Sequence, residues 1–467
     1  MVDPLPFHLN RRAFLGSAFF GLSTLAGVSS SFAATGSTGK AKRVLVIYEQ
    51  GGLSHMDTWD PKPEAPSDHR SPYKPIDTNV PGIRFTELLA KTAKVADKLA
   101  IVRSMCHTRG GADAHPNGTQ YSLSGSHPAA NPFDMPDIGS IVAHVQGSSC
   151  KFLPPYIMVP GNHEQAAETR HGFLPAGRKV FKTGGYDVSD PKWKIDALLP
   201  RSENIGDRLG NRHDLRNLLD QQTAKTSASS DAQGLPGFYD QAVNMLTSPQ
   251  VSKAFDLRQE PQAIRDAYGA GHRGACYLVG RKLIEAGVKF VTVDCRWPKG
   301  KDTPNGAGNL NWDHHDHIYA KQTCELPGAT GAGAGRYGIA HWVMMGSTDQ
   351  AFAALIADLH QRGLLEETLV CFVSEFGRTP KINAAKGRDH WTHGYTTVFA
   401  GAGTKGGQVV GKTDKEGGYV VDQPHTPEDY ASTIYEKLGI DRTKPIYMPS
   451  NRPVFFGHAG EPIAEVM

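Results

Sequence analysis

The chain has 467 residues, of which 39% are hydrophobic and 21% charged, the balance of a globular protein with a sizeable core rather than a disordered or fibrous one. The formal net charge is +3, and residues 1–33 carry +1 of it (Arg11 and Arg12 against Asp3), so no basic excess supports nucleic-acid binding. The 20 histidines against 47 Asp and Glu have a chemical consequence, because neutral imidazole is a favoured metal ligand.

Asn10-Arg11-Arg12-Ala13-Phe14-Leu15 opens an apolar stretch that ends at Ser31-Phe32-Ala33. It resembles a twin-arginine export signal, which predicts a leader over 1–33, the twin-arginine translocation machinery as a partner, and a periplasmic or secreted protein. A stretch of about 20 residues could also just span a bilayer. Its Gly and Ser content favours cleavage, so no stable membrane anchor is expected after processing. The six cysteines form no Cys-x-x-Cys pair and read mostly as core thiols, with a Cys150–Cys324 disulfide left open for an exported chain.

Beyond the leader, 43–48 (Arg-Val-Leu-Val-Ile-Tyr) is a continuous apolar run closed by Gly51-Gly52, the pattern of a strand buried on both faces. Residues 99–102, 156–159, 288–293, 368–373 and 396–400 predict five more strands. Phe352, Leu355, Ile356 and Leu359 make a helical stripe stopped by Gly363 before one strand, and Cys276, Val279, Gly280 and Leu283 repeat it with Gly287 as the stop before another. A last helix is predicted from Thr426, as N-cap with Pro427 at the first helical position, to Gly439. Alternation of this kind predicts an α/β fold. No linker divides the chain, so 34–467 is read as a single domain with a loop-rich insertion around 161–274 that holds the polar tract 223–234. Gly333 to Gly338 matches Gly-x-Gly-x-x-Gly, but no strand leads into it and no dinucleotide site is assigned. Gly401 to Gly407 lacks the ending of a phosphate loop and reads as a hairpin or strand connection.

In open α/β sheets ligands bind beyond the carboxyl ends of the parallel strands, and here those ends are rich in acids and imidazoles. They comprise Gly51 to Asp57; His107 with His115; Asp313-His314-His315-Asp316-His317; and Glu375 with Arg378. Gly387-Arg388-Asp389-His390-Trp391 follows. Clustered carboxylates resist burial unless a cation or fixed donors neutralise them, so the set predicts a metal-centred site. Taken singly, Asp57 or Glu375 could equally be a turn residue or cap. Arg378 could simply pair with Glu375, although a guanidinium also suits phosphate or sulfate oxygens. His55 and His393 are read as surface or supporting residues.

These motifs, in this order, resemble the alkaline phosphatase and sulfatase superfamily. More closely, the segments 51–63, 104–107 with His115, 283–288, 312–315, 375–380 and 387–391 resemble the exported family known as domain of unknown function 1501. The resemblance implies a three-layer α/β/α sandwich with a mostly parallel central sheet, alkaline-phosphatase-like, holding one or two divalent metals at the strand ends. Three departures stand out. The position of the sulfatase Cys or Ser nucleophile falls on His115, Glu49-Gln50 stands where the first strand of the hydrolases ends in Asp, and Glu375-Phe376 stands where an Asp-His pair is expected.

Two functions follow as expectations. One is an exported metal-dependent hydrolase of phosphate or sulfate esters, its substrate a small anionic ester or a sulfated glycan. Its divalent metal, zinc, calcium or magnesium, would be held by residues from Asp57, Asp313, His315 or His317, Glu375, Asp389 and His390. His115 would act in catalysis or as a ligand, and Arg378 would steady the anionic oxygens. The other is a catalytically silent exported binding or assembly protein that retains the fold.

Overall fold

In the computed structural model the described residues are 40–161, 169–184, 187–193, 195, 244–246, 248–294, 311–319, 337–457 and 459–467. The twin-arginine motif, Cys295, Cys324, the tract 223–234 and Gly333 to Arg336 lie outside them. Among the described residues no helix is long and apolar enough to cross a membrane.

Eight strands form the central sheet: β1 (Arg43–Tyr48), β2 (Leu99–Met105), β3 (Tyr156–Pro160), β4 (Phe181–Lys182), β5 (Phe290–Asp294), β6 (Thr368–Val373), β7 (Tyr395–Ala400) and β8 (Gln408–Val410). Their order is β8-β2-β7-β6-β1-β5-β3-β4. All neighbouring pairs are parallel except those of β7, which runs antiparallel to β2 and β6. All six predicted strands are present, and β4 and β8 are additional. These two are short edge strands of two and three residues, too brief for an apolar period to announce them.

The central strands are apolar on both faces because each feeds two cores. From β1, Leu45 and Ile47 join the cluster that includes α3 (His272–Glu285) and α4 (Ser347–Gln361). Val44, Val46 and Tyr48 join the cluster on the other face, with α2 (Ile138–Gln146) and α5 (Pro427–Lys437). Helices thus cover both faces, giving the three-layer α/β/α sandwich with a mostly parallel sheet. The helix stops behave as expected, with Gly287 and Gly363 at positive φ. The N-terminus of α5 is a capping box: Thr426 Oγ1 accepts from the Asp429 N–H and Asp429 Oδ2 accepts from the Thr426 N–H. Gly401 to Gly407 connects β7 to β8, a strand connection rather than a phosphate loop.

α1 (His115–Ser124) has no counterpart among the helices predicted from the sequence. Asn117, Gly118, Thr119 and Ser122 are weak helix formers, and no apolar stripe marks it. It nonetheless places His115 at its first turn, at the mouth of the sheet.

Candidate metal centre

The parallel register that sets Tyr48 opposite Val373 brings the segments after β1 and β6 side by side. The Gly51 N–H donates to Glu375 Oε1 at 2.8 Å. Gly51 has φ +110°, and a Cβ there would lie 2.5 Å from the Trp312 backbone nitrogen, so only glycine lets the 311–319 segment cross over this turn. That crossing delivers Asp313 to the strand ends.

Asp313 is the centre of the site. Its Oδ1 lies 3.1 Å from His115 Nε2, 3.0 Å from His315 Nε2, 3.1 Å from His390 Nε2 and 2.7 Å from Arg378 Nη2. Each imidazole is fixed from behind through Nδ1: His115 to Glu375 Oε1 at 2.7 Å, His315 to Asp389 Oδ1 at 2.7 Å, and His390 to the Asp113 carbonyl. Anchoring one ring nitrogen on an oxygen and presenting the other is the arrangement that orients metal-ligating histidines. One potential ligand atom from each of His115, Asp313 and His390 lies within 4.8 Å of the other two, and His315 Nε2 is 3.0 Å from His390 Nε2. His115 Nε2 is buried and makes no directed hydrogen bond although Asp313 Oδ1 lies 3.1 Å away, so an ion between these two atoms would displace none there.

The electrostatics agree. Burial works against ionisation of Asp313, but His115, His315, His390 and Arg378 outweigh it and hold the carboxyl far below the usual range. Burial likewise disfavours the His115 cation, yet Asp313 and Glu375 overcome it and push its pKa up to about 9. His315 is raised by Asp313, whereas burial lowers His390. One site therefore holds two carboxylates and an imidazole that keeps a proton in the absence of a competing cation. A divalent ion could replace that proton.

The other predicted residues sort around this core. Glu375 is fully buried and grips His115, Gly51 N and, through Oε2, the hydroxyls of Ser374 and Tyr48. It stands behind an imidazole rather than among the converging atoms. Asp389 does the same for His315 and stays about half exposed at 54%. Arg378 is fully buried and donates to the carbonyls of Gly51, Gly52 and Arg388 as well as to Asp313. Asp57 is elsewhere: its carboxylate accepts from Arg388 Nε at 2.9 Å, Ser54 Oγ at 2.5 Å and Tyr319 OH at 3.1 Å. His317 lies toward Asp316, with its N–H on the Ala385 carbonyl. His55, read as a surface or supporting residue, is 1% exposed and bonded to the Gly417 carbonyl, while His393 is exposed.

Three residues without an assigned role in the sequence have one here. Asn383 donates to the His315 carbonyl and to Asp389, while Arg388 and Tyr319 meet Asp57. A signal existed for Arg388, an arginine inside an acidic motif, but its distant partner Asp57 had no local mark.

Comparison with known proteins adds the following. No curated protein matches the chain. Similar solved structures include a Bacteroides thetaiotaomicron protein described under the metabolism of multiple glycosaminoglycans, at 10% identity and TM-score 0.36 over 85% of this chain and 73% of that one. The phosphonate monoester hydrolase SpPMH from Silicibacter pomeroyi is similar at 12% identity and TM-score 0.33, over 86% and 74%. The lipoteichoic acid synthase LtaP from Listeria monocytogenes is similar at 10% identity and TM-score 0.33, over 87% and 74%. The family model described as "Protein of unknown function (DUF1501)" matches residues 41–467, and the chain belongs to that family.

Proposed function

We propose that the chain is an exported, metal-dependent hydrolase of phosphate or sulfate esters, built as a twin-arginine leader over 1–33 and one domain over 34–467. Its divalent ion is held by His115, Asp313 and His390, with His315 completing the set. The observation that carries this reading is the convergence of three back-anchored Nε2 atoms on one Asp313 oxygen at 3.0 to 3.1 Å. Three imidazoles and one carboxylate suit zinc better than calcium or magnesium, which favour all-oxygen sites.

A bound divalent ion polarises an ester oxygen and brings the pKa of water to about 7. The residues of the chain supply the rest. Glu375 and Asp389 orient His115 and His315, and Arg378 fixes Asp313. His115 is held by Glu375 at Nδ1 and gives Nε2 to the ion, so the attacking group is water rather than a side chain. Side-chain exposures of 37% at His315 and 54% at Asp389 leave this flank open to a substrate such as a small anionic ester or a sulfated glycan.

One observation favours the alternative, a catalytically silent binding or assembly protein. Arg378 is buried against backbone carbonyls and Asp313, so it does not meet a substrate anion. The test is metal analysis of protein purified after native export, followed by turnover of aryl phosphate and aryl sulfate. Bound metal with turnover that disappears in His390→Ala supports the hydrolase. Bound metal without turnover selects the silent reading with a structural metal, and metal-free folded protein unaffected by chelator overturns the hydrolase and every metal-centred reading of the site.

A further inference from the structure

The carboxylate of Asp57 is fully buried and lies outside the converging set, yet it touches both segments that supply most of that set. Its Oδ2 accepts from Arg388 Nε at 2.9 Å, and its Oδ1 accepts from Tyr319 OH at 3.1 Å. Arg388 Nε and Tyr319 OH are themselves 2.9 Å apart, so the three groups close a triangle. Tyr319 ends the described segment that carries Asp313 and His315. Arg388 immediately precedes Asp389 and His390.

The two segments are already in contact. The Arg388 N–H donates to the His314 carbonyl, the Ile318 N–H to the Lys386 carbonyl, and Asp316 bridges Lys386. A Cβ at Gly387 would overlap the His315 carbonyl. The Trp312 N–H on the Gln50 carbonyl, and Arg378 on Asp313 and the Arg388 carbonyl, tie this pairing to the ends of β1 and β6. Asp57 adds a side-chain tie that reaches Tyr319 and Arg388 at once, from a segment, Ser54 to Asp60, that follows β1 and is anchored by its own turn, with the Thr58 and Asp60 N–H groups on the His55 carbonyl. The remaining donors of Arg388 grip the carbonyls of Thr379, Pro380 and His69, so the guanidinium has little freedom to follow a displaced chain.

We infer that Asp57 is a positioning residue: through Arg388 and Tyr319 it fixes the Asp313–His315 and Asp389–His390 segments in one register, and so sets the affinity of the metal centre without ligating the ion. The inference rests on the metal reading proposed above. It predicts a division of effects that a merely structural salt bridge would not produce.

The experiment measures zinc affinity by chelator competition, well below the melting temperature, on the exported protein and three variants. Asp57→Asn is expected to weaken zinc binding about 10- to 100-fold, the range for a residue that orients ligands. Tyr319→Phe keeps the ion pair and is expected to weaken it less. Asp358→Asn, in the network of Arg281, Arg362 and Tyr268 between α3 and α4, is the control, and should lower the melting temperature while leaving zinc affinity unchanged.

Amide exchange gives a second, metal-free readout. In Tyr319→Phe, protection over 314–318 and 386–390 should fall together. Wild-type zinc affinity and exchange in both Asp57→Asn and Tyr319→Phe would overturn the inference while leaving the metal reading intact. Should Asp57→Asn not fold, Tyr319→Phe decides by the same two readouts. Failure of the wild type to bind zinc strikes the metal reading instead, and the exchange result then judges the coupling of the segments alone.

Discussion

Glu49 and Asp313 are both buried carboxylates at the mouth of the same sheet, and adjacent residues serve them, since Trp312 Nε1 donates to Glu49 at 2.6 Å. They are neutralised in different ways. Glu49 meets Arg273 Nη1 at 2.5 Å and Tyr277 OH at 2.6 Å, with its side chain 1% exposed. Asp313 shares one arginine with three imidazoles, two of which sit at a partly open flank. Burying a carboxylate demands compensation in either case. A guanidinium gives it permanently, whereas imidazoles give it conditionally and can release a proton in favour of an ion. The first pocket is a structural joint, and the second is the one we propose to hold a cation.

The largest expected effect separates the two directly. Arg273→Met leaves Glu49 buried without its cation and should cost about 3–5 kcal/mol of stability in urea unfolding, while the metal content of the folded fraction stays that of the wild type. Asp313→Asn should do the reverse, weakening zinc binding by at least about 100-fold, a cost of about 2.7 kcal/mol, as read by chelator competition. A smaller loss of zinc affinity in Asp313→Asn than in Arg273→Met would erase the distinction. Glu375→Gln removes the charge behind His115 but keeps an acceptor. It should weaken zinc binding about 10- to 100-fold with little change in unfolding midpoint.

The smallest effect concerns pH. Asp60 is another sealed carboxylate, with Lys62 at 3.1 Å, Arg103 at 3.4 Å and Thr413 Oγ1 at 2.6 Å. Burial opposes its ionisation, but Arg103 and Lys62 prevail and its pKa lies below the ordinary 3.8. A depressed folded-state pKa contributes stability that is present above the unfolded value and lost as pH falls through the folded one. Melting temperature should therefore decline below about pH 4, and Asp60→Asn should shallow that decline. An unchanged slope would show that Asp60 is not among the groups responsible.

Much of the architecture was legible because strands buried on both faces carry unbroken apolar runs, and because Gly287, Gly363 and Thr426 punctuate the helices. The site was legible at the level of clusters, since acids and imidazoles gathered after strand-like runs. Its division of labour was not. Whether Glu375 or Asp389 ligates an ion or orients a histidine depends on which side of a ring it meets, and His315 and His317 are separated only by the backbone turn that puts His317 at φ +48°. Asp57 shares a sequence signature with a ligand, and only its distant partners Arg388 and Tyr319 mark it as a tie between segments. α1 has no apolar period to announce it, because polar residues and glycine carry the helix that holds His115.

One carboxylate and three imidazoles, as proposed, form a single cation site. X-ray absorption of the zinc-loaded protein tests it most directly, read together with stoichiometry and the His390→Ala variant. One ion per chain is expected, with three nitrogen ligands at about 2.0–2.1 Å, one of them lost in His390→Ala. An ion bound by oxygen ligands alone, or one whose coordination is untouched by loss of His390, would contradict it.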